Sequence, residues 1–169
     1  DNDATYSEMR IMARAYRVLG DPKFKESFNR GLAYIFSAQY ANGGWPQRYP
    51  LQDNYGRYIT FNDGAMTGVM ALLRDVFQQQ PDFRFVGRDV QAHCRQAFDL
   101  GIQCILKCQI RVDGKLTAWC QQHDPVTFQP RGGRAFELPG ITANESQGIV
   151  MLLMGLDHPT KEIQDSINA

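Results

Sequence analysis

The chain has 169 residues, 43% of them apolar and 21% charged, and its 18 basic residues balance its 18 acidic ones. That is enough chain for one domain with a sizeable core. Zero net charge removes the electrostatic case for a nucleic-acid partner, and no apolar run approaches the ~20 residues of a membrane-spanning helix.

The opening Asp1-Asn2-Asp3 has no signal-peptide character. Met9, Met12, Tyr16 and Leu19 then step by three and four, which predicts a helix from about Ala4 to Leu19. Gly20-Asp21-Pro22 breaks it, with Pro22 in the first turn of the next helix. That second helix carries Phe24, Phe28, Leu32, Ile35 and Phe36 and is expected to end at Asn42. Asn42-Gly43-Gly44 and Pro46 stop it, and a long loop runs through Tyr58. A third helix starts near Asp63 with Met66, Met70, Leu73 and Phe77 on one side. After a turn over Pro81 to Gly87, a fourth helix spans about Arg88 to Gln109. A second long loop covers Ile110 to Ala143 and holds Pro130 and Gly132-Gly133. A fifth helix, Asn144 to Leu156, is apolar through its middle and is expected to be buried. Pro159 opens a sixth helical segment, and strand signals are weak throughout.

The pattern repeats. An offset of 61 carries Met9, Ile11, Met12 and Tyr16 onto Met70, Leu72, Leu73 and Phe77. An offset of 70 carries Gly31, Ile35, Gln39 and Gly44 onto Gly101, Ile105, Gln109 and Gly114. Each unit is a helix, a short turn, a second helix and a long loop. Such hairpins stack because neither buries its apolar face alone, and the long loops then gather on one side, where a cleft belongs. Cys94, Cys104, Cys108 and Cys120 contain no C-x-x-C pair, and His93, His123 and His158 are scattered, so these cysteines read as buried thiols and not zinc ligands.

Candidate chemistry lies at the loop ends. Trp45, Gln47, Arg48 and Tyr49 cluster flat and cationic groups on the first loop, either as a ligand wall or as a helix stop whose tryptophan packs back on the bundle. Asp1 and Asp63 each precede a helix beside an asparagine, Asn2 and Asn62. An aspartate there is an N-cap or, with its neighbour, part of a hard-oxygen site suited to Ca²⁺. The second loop offers Trp119, Gln121, Gln122, His123, Asp124, Arg131, Arg134 and Glu137. His123 and Asp124 are adjacent in sequence, which does not make them face each other. Arg134 is a salt-bridge partner or a fork for a substrate carboxylate. There is no G-x-S-x-G elbow and no phosphate-binding glycine loop.

The blocks DNDAT (1–5), AQYANGGWPQRYP (38–50), YITFNDGAM (58–66), CILKCQI…DGKLTAWCQQHD (104–124), RAFELPG (134–140) and the ES-x-GIV pattern at 145–150 resemble polysaccharide lyase family 10, the pectate lyases. The resemblance implies an all-α fold, an (α/α) toroid of stacked helical hairpins. About three hairpins would lie in a single domain over 1–169, truncated at both ends relative to the family. It implies calcium-dependent β-elimination of polygalacturonate (pectin) in a secreted or periplasmic protein, giving 4,5-unsaturated oligogalacturonides. On the same ground Asp1 and Asp63 are expected to bind Ca²⁺, Arg134 to meet the substrate carboxylate, and Asn2, Trp45, Tyr49, Asn62, Trp119 and His123 to form subsites. The family's larger polar residue is replaced here by Gly64. The proton-abstracting arginine is expected in a later segment, beyond these residues. Two other classes stand beside this one: a non-catalytic pectin-binding or scaffold module, and an α/α-toroid hydrolase of unsaturated uronides using paired carboxylates as acid and base.

Overall fold

Helical periodicity becomes three helical hairpins in a computed structural model that describes residues 3–169. The first pairs α1 (Ala4–Leu19) with α2 (Pro22–Ala38), the second α3 (Ala65–Phe77) with α4 (Arg88–Cys108), and the third α5 (Ala143–Met154) with α6 (Lys161–Ile167). The turn between α1 and α2 follows its local chemistry. Gly20 closes α1 at φ 71° with its N–H on Tyr16 O, and Asp21 caps α2 by accepting from Lys23 N at 3.0 Å, with Pro22 in the first turn. α1 and α5 flank α3, so the hairpins stand in a row, and the fold is all-α with four two-residue strands.

The core lies between the helix layers. Phe28, Leu32 and Ile35 of α2 share one buried cluster with Met66, Met70 and Leu73 of α3 and Phe98, Ile102 and Ile105 of α4. The repeat read from sequence is a packing repeat. A Cβ at Gly31 would come within 2.7 Å of Met9 Sδ, and one at Gly101 within 2.8 Å of Met70 Cε. Each glycine is therefore the seat for the methionine of its partner helix. At the helix ends, Gln39 donates to Gly43 O (3.0 Å) and Ala97 O (2.9 Å), while Gln109 donates to Thr117 O and Ser166 O (both 2.9 Å). One glutamine in each unit thus ties its own loop to the next hairpin.

Three expectations are corrected. α2 stops at Ala38, because Gln39 turns extended (ψ 129°) and its side chain takes up loop carbonyls. Gly44 corresponds to Ala118, not Gly114: Tyr40 N bonds Gly44 O as Ile110 N bonds Ala118 O. The four extra residues are taken up in the hairpin of β2 (Arg111–Val112) and β3 (Lys115–Leu116), turned at Asp113-Gly114 with both φ positive. Lastly, α5 is buried only on one side. Ile149, Leu152 and Leu153 face the core, but Met151 and Met154 are 63% and 62% exposed.

The two long loops meet at one end of the row. β1 (Ile59–Thr60) runs antiparallel to β4 (Gln122–His123), pairing Ile59 with His123 and Thr60 with Gln122. Pro46 bridges to Ile59 and Pro130 to His123, while Phe61 N and Asn62 N both bond Gln121 O. This stitched platform carries the candidate site.

Candidate functional site

The platform floors an open cleft of about 650 Å³. Its walls come from distant parts of the chain: Thr5 of α1, Tyr34 of α2, residues 47–55 of the first loop, Asn62 and Asp63, Gln122, and Arg134 with Glu137. Polar groups dominate, as suits a hydroxyl-rich or charged ligand more than an apolar one.

Asp63 is delivered by backbone geometry. It adopts φ 52° and Gly64 follows at φ 68°, so two left-handed residues turn the chain into α3 and leave the carboxylate exposed at the cleft. Asn62 Nδ2 donates to Asp63 Oδ2 at 2.7 Å, which leaves the Asn62 carbonyl oxygen available. On the same cleft, Arg134 and Glu137 form an i, i+3 pair in a turn where Glu137 N bonds Arg134 O. Glu137 Oε1 accepts from Arg134 Nε at 3.0 Å and also from Nη2; its Oε2 accepts from Arg134 N at 2.8 Å. Glu137 raises the Arg134 pKa, with smaller contributions from Tyr55 and Asp63, and Arg134 in turn pulls Glu137 below the usual carboxylate range. Arg134 is 60% exposed and lies over the Phe136 ring, 4.9 Å from its centroid. Tyr49 lines the same cleft, its ring edge-on to Tyr34 at 5.7 Å while the Tyr34 hydroxyl donates to Tyr49 O.

Tyr49, Asn62, Asp63 and Arg134 are therefore brought together, and Trp45, Trp119 and His123 are not. Trp45 (4% exposed) donates its indole N–H to Ile35 O at 2.9 Å, and Trp119 (1%) donates to Ile105 O at 2.8 Å. Ile35 and Ile105 are repeat equivalents, so both tryptophans plug the end of the hairpin beside them and lie beneath the cleft. His123 is wholly buried. Its Nδ1 bonds Phe128 O at 2.8 Å, so Nδ1 carries the proton and Nε2 accepts from Cys120 N at 3.1 Å. Burial lowers its pKa, against the pull of those two backbone bonds. Asp124 turns away to cap the next turn, accepting from Val126 N and Thr127 N at 2.9 Å and from Arg131, so it forms no acid–base pair with His123.

Asp1 and Asn2 lie outside the described residues. The carboxylate at the start of α1 is Asp3, in the left-handed region at φ 68° and bonded by the Tyr6 hydroxyl. Gly64 holds the matching position in the 61-residue repeat, with the same φ. Thr5, Tyr34, Gln52 and Tyr55 were not legible as site residues. Each is an ordinary surface residue in its own segment, and only the meeting of loops gives it a shared cavity. On the far side of Asp63 a second depression of about 380 Å³ is lined by Thr67, Asn144, Glu145 and Met151. Asp63 stands on the ridge between the two.

The pectic acid lyase family profile matches residues 1–169. Among the solved structures that share the fold are two from Cellvibrio cellulosa. The family 10 polysaccharide lyase from Cellvibrio cellulosa is 32% identical with a TM-score of 0.97, over 100% of this chain and 53% of that one. An aspartate-to-alanine mutant of the lyase from the same organism, in complex with trigalacturonic acid, is 30% identical with a TM-score of 0.94, over 97% of this chain and 52% of that one. The chain spans about half the length of these relatives. Among curated proteins there is no match.

Proposed function

This chain belongs to the pectic acid lyase family, and from that premise we propose that its cleft binds polygalacturonate and serves β-elimination of the polymer. The observation that carries the reading is that Asp63 with Asn62 and the Arg134–Glu137 pair line one polar cleft, near enough for Asp63 to act electrostatically on Arg134. The trigalacturonic acid complex of the Cellvibrio mutant supports the substrate class. The row of hairpins reads as one arc of an (α/α) toroid, a single domain over 1–169. An extracellular polymer as substrate implies a secreted or periplasmic protein.

The chemistry follows from the sugar. Removing the C5 proton of a galacturonate builds enolate charge on the neighbouring C6 carboxylate, and expulsion of the C4 glycosidic oxygen then leaves the 4,5-double bond. An uncompensated carboxylate resists that first step. The Arg134 fork, aimed by Glu137, matches a carboxylate and stabilises the charge as it forms. Tyr34 and Tyr49 supply an apolar and hydroxylic wall for the ring. Asp63 and the free carbonyl of Asn62 are hard oxygen donors that fit Ca²⁺, with Asp1 proposed as a further ligand. Among the described residues no three His, Cys, Asp or Glu stand together, so these residues suit an open site completed by substrate and water. Calcium bound there would add charge neutralisation at the uronate carboxylate.

A second reading gives Arg134 the proton-abstracting role. Among the described residues the ionisable groups on the cleft are Asp63, Glu137, Arg48, Arg134 and three tyrosines; the resemblance places the family's own proton-abstracting arginine in a later segment, so Arg134 would act in its stead. Arg134→Lys separates the two. As carboxylate partner, whose grip tightens as enolate charge forms, Arg134→Lys lowers kcat/KM at least tenfold, as expected for losing a charged hydrogen bond worth about 1.5–3 kcal/mol, and leaves the shape of the pH–rate profile unchanged. As base, it lowers kcat and removes the alkaline limb of the pH–rate profile. The hydrolase alternative is disfavoured because Glu137, neighboured by Arg134, has its pKa lowered, the opposite of a general acid's need. The deciding assay follows ultraviolet absorbance of the unsaturated product from polygalacturonate, with Ca²⁺ and with chelator. Turnover that chelation does not touch defeats the calcium assignment. Binding without turnover would instead mark a pectin-binding module.

A further inference from the structure

Among the described residues, three buried side-chain atoms have no hydrogen-bond partner, and one of them, Gln122 Oε1, belongs to a residue lining the cleft. Gln122 is 2% exposed, and its Nε2 donates to Gln47 Oε1 at 2.7 Å. Its orphaned Oε1 lies 3.1 Å from the point where a Cβ on Gly133 would stand, and Glu137 Oε2 lies closer still to that point. Two acceptors therefore border the space that the glycine leaves empty. A buried carbonyl set against an ionised carboxylate is the least favourable use of an amide that carries two donors.

Amide nitrogen and oxygen have the same shape, so their assignment rests on the network around them. Turning both amides over keeps the 2.7 Å contact, with Gln47 Nε2 now donating to Gln122 Oε1. It also presents Gln122 Nε2 to the carboxylate of Glu137. We propose that Gln47 and Gln122 form an amide relay that crosses the cleft floor, ends on Glu137 and so holds Arg134 in place. Gln122 is then a positioning residue. The inference rests on the reading of Arg134 as the group that faces substrate.

The relay answers a physical need. Arg134 and Glu137 form an exposed pair three residues apart, and such a pair contributes little rigidity of its own. Gln122 is anchored on β4, paired to Thr60, and Gln47 belongs to the first long loop. Their amides lend that rigidity to Glu137 from beneath, and make the aim of the guanidinium depend on both loops.

The test uses stability and kinetics together. In a double-mutant cycle of Gln122→Met with Glu137→Gln, followed by urea denaturation, the relay predicts a stabilising coupling between the two wild-type side chains. A coupling of zero, or of opposite sign, overturns it, since a carbonyl facing the carboxylate would repel. Should Gln122→Met fail to fold, the half-buried Gln47 supplies the second arm. There the cycle pairs Gln47→Glu with Glu137→Gln: Gln47→Glu cannot donate, so it forces Gln122 to present its carbonyl to Glu137 and costs more stability beside Glu137 than beside Glu137→Gln. In the opposite amide arrangement Gln47→Glu accepts as well as glutamine does, and its cost is the same in both backgrounds, which overturns the relay. In turnover, Gln122→Met lowers kcat/KM about tenfold, or about 1.4 kcal/mol, in whichever of KM or kcat Arg134→Lys affects. That loss does not add to the loss from Glu137→Gln. Additive losses, or losses in the other parameter, count against the relay. A stabilising coupling in a protein without lyase turnover defeats only the functional reading; an active protein without the coupling defeats only the relay.

Discussion

Two aspartates near the platform show how much a single residue's backbone decides. Asp63, held in the left-handed region beside Asn62, presents an exposed carboxylate to the cleft. Asp124 spends its carboxylate on the N–H groups of Thr127 and Val126 and on Arg131, which together hold its pKa near 2. Asp63→Ala is therefore expected to weaken Ca²⁺-dependent binding of galacturonate oligomers more than Asp124→Ala, and titration calorimetry giving the reverse order would refute the assignment. The sequence singled out Asp63 and Arg134 on local grounds, a helix start and a glycine-flanked loop. What the sequence could not supply is why Asp124 stays out of the cleft: both carboxylates are short, polar and in loops, and their hydrogen bonds separate them.

At the level of elements, the repeat was legible and its stitching was not. The offsets of 61 and 70 correctly paired Met9 with Met70 and Gly31 with Gly101. The Arg111–Leu116 hairpin shifts the register by four before Trp119, and its Asp113-Gly114 turn was a readable signal. With that shift, Trp45 and Trp119 are equivalent plugs rather than sugar platforms. Trp45→Phe and Trp119→Phe each leave a buried carbonyl, on Ile35 or Ile105, without its indole donor. We expect each change to destabilise the fold by about 2–4 kcal/mol. Denaturant melts check the loss, while affinity for oligogalacturonate stays within about twofold because neither indole lines the cleft. A loss of affinity with unchanged stability would return the tryptophans to the site.

Across the molecule, the junction of the two long loops has its own pH signature. His123 is neutral and buried at that junction, with its pKa lowered by burial from the ordinary 6.5. The unfolded chain takes up a proton near that ordinary value and the folded chain does so only at lower pH. The stabilising difference is therefore complete above pH 6.5 and is lost as pH falls below it. Asp124 acts in a separate window. Its contribution holds above its ordinary 3.8 and is lost toward its folded value of about 2. Urea midpoints measured between pH 8 and 5 should fall for the wild type, with a shallower slope in His123→Gln. Equal slopes would place the buried proton elsewhere.

Sequence by itself determined that the protein is built from repeated helical hairpins, the start of α1, α2 and α4 and the neighbourhood of the other starts, and which family its loop motifs resemble. Those features follow from periodicity, caps and breakers, which act over a few residues. Tertiary structure alone decided which loop residues share a cleft. Aromatic and titratable side chains look alike in sequence whether they are buried or exposed. Burial and hydrogen-bond partners moved Trp45, Trp119 and His123 beneath the platform and gathered Tyr34, Asp63, Gln122 and Glu137 around one cavity. The contacts that did so join residues dozens of positions apart, beyond the reach of any local pattern.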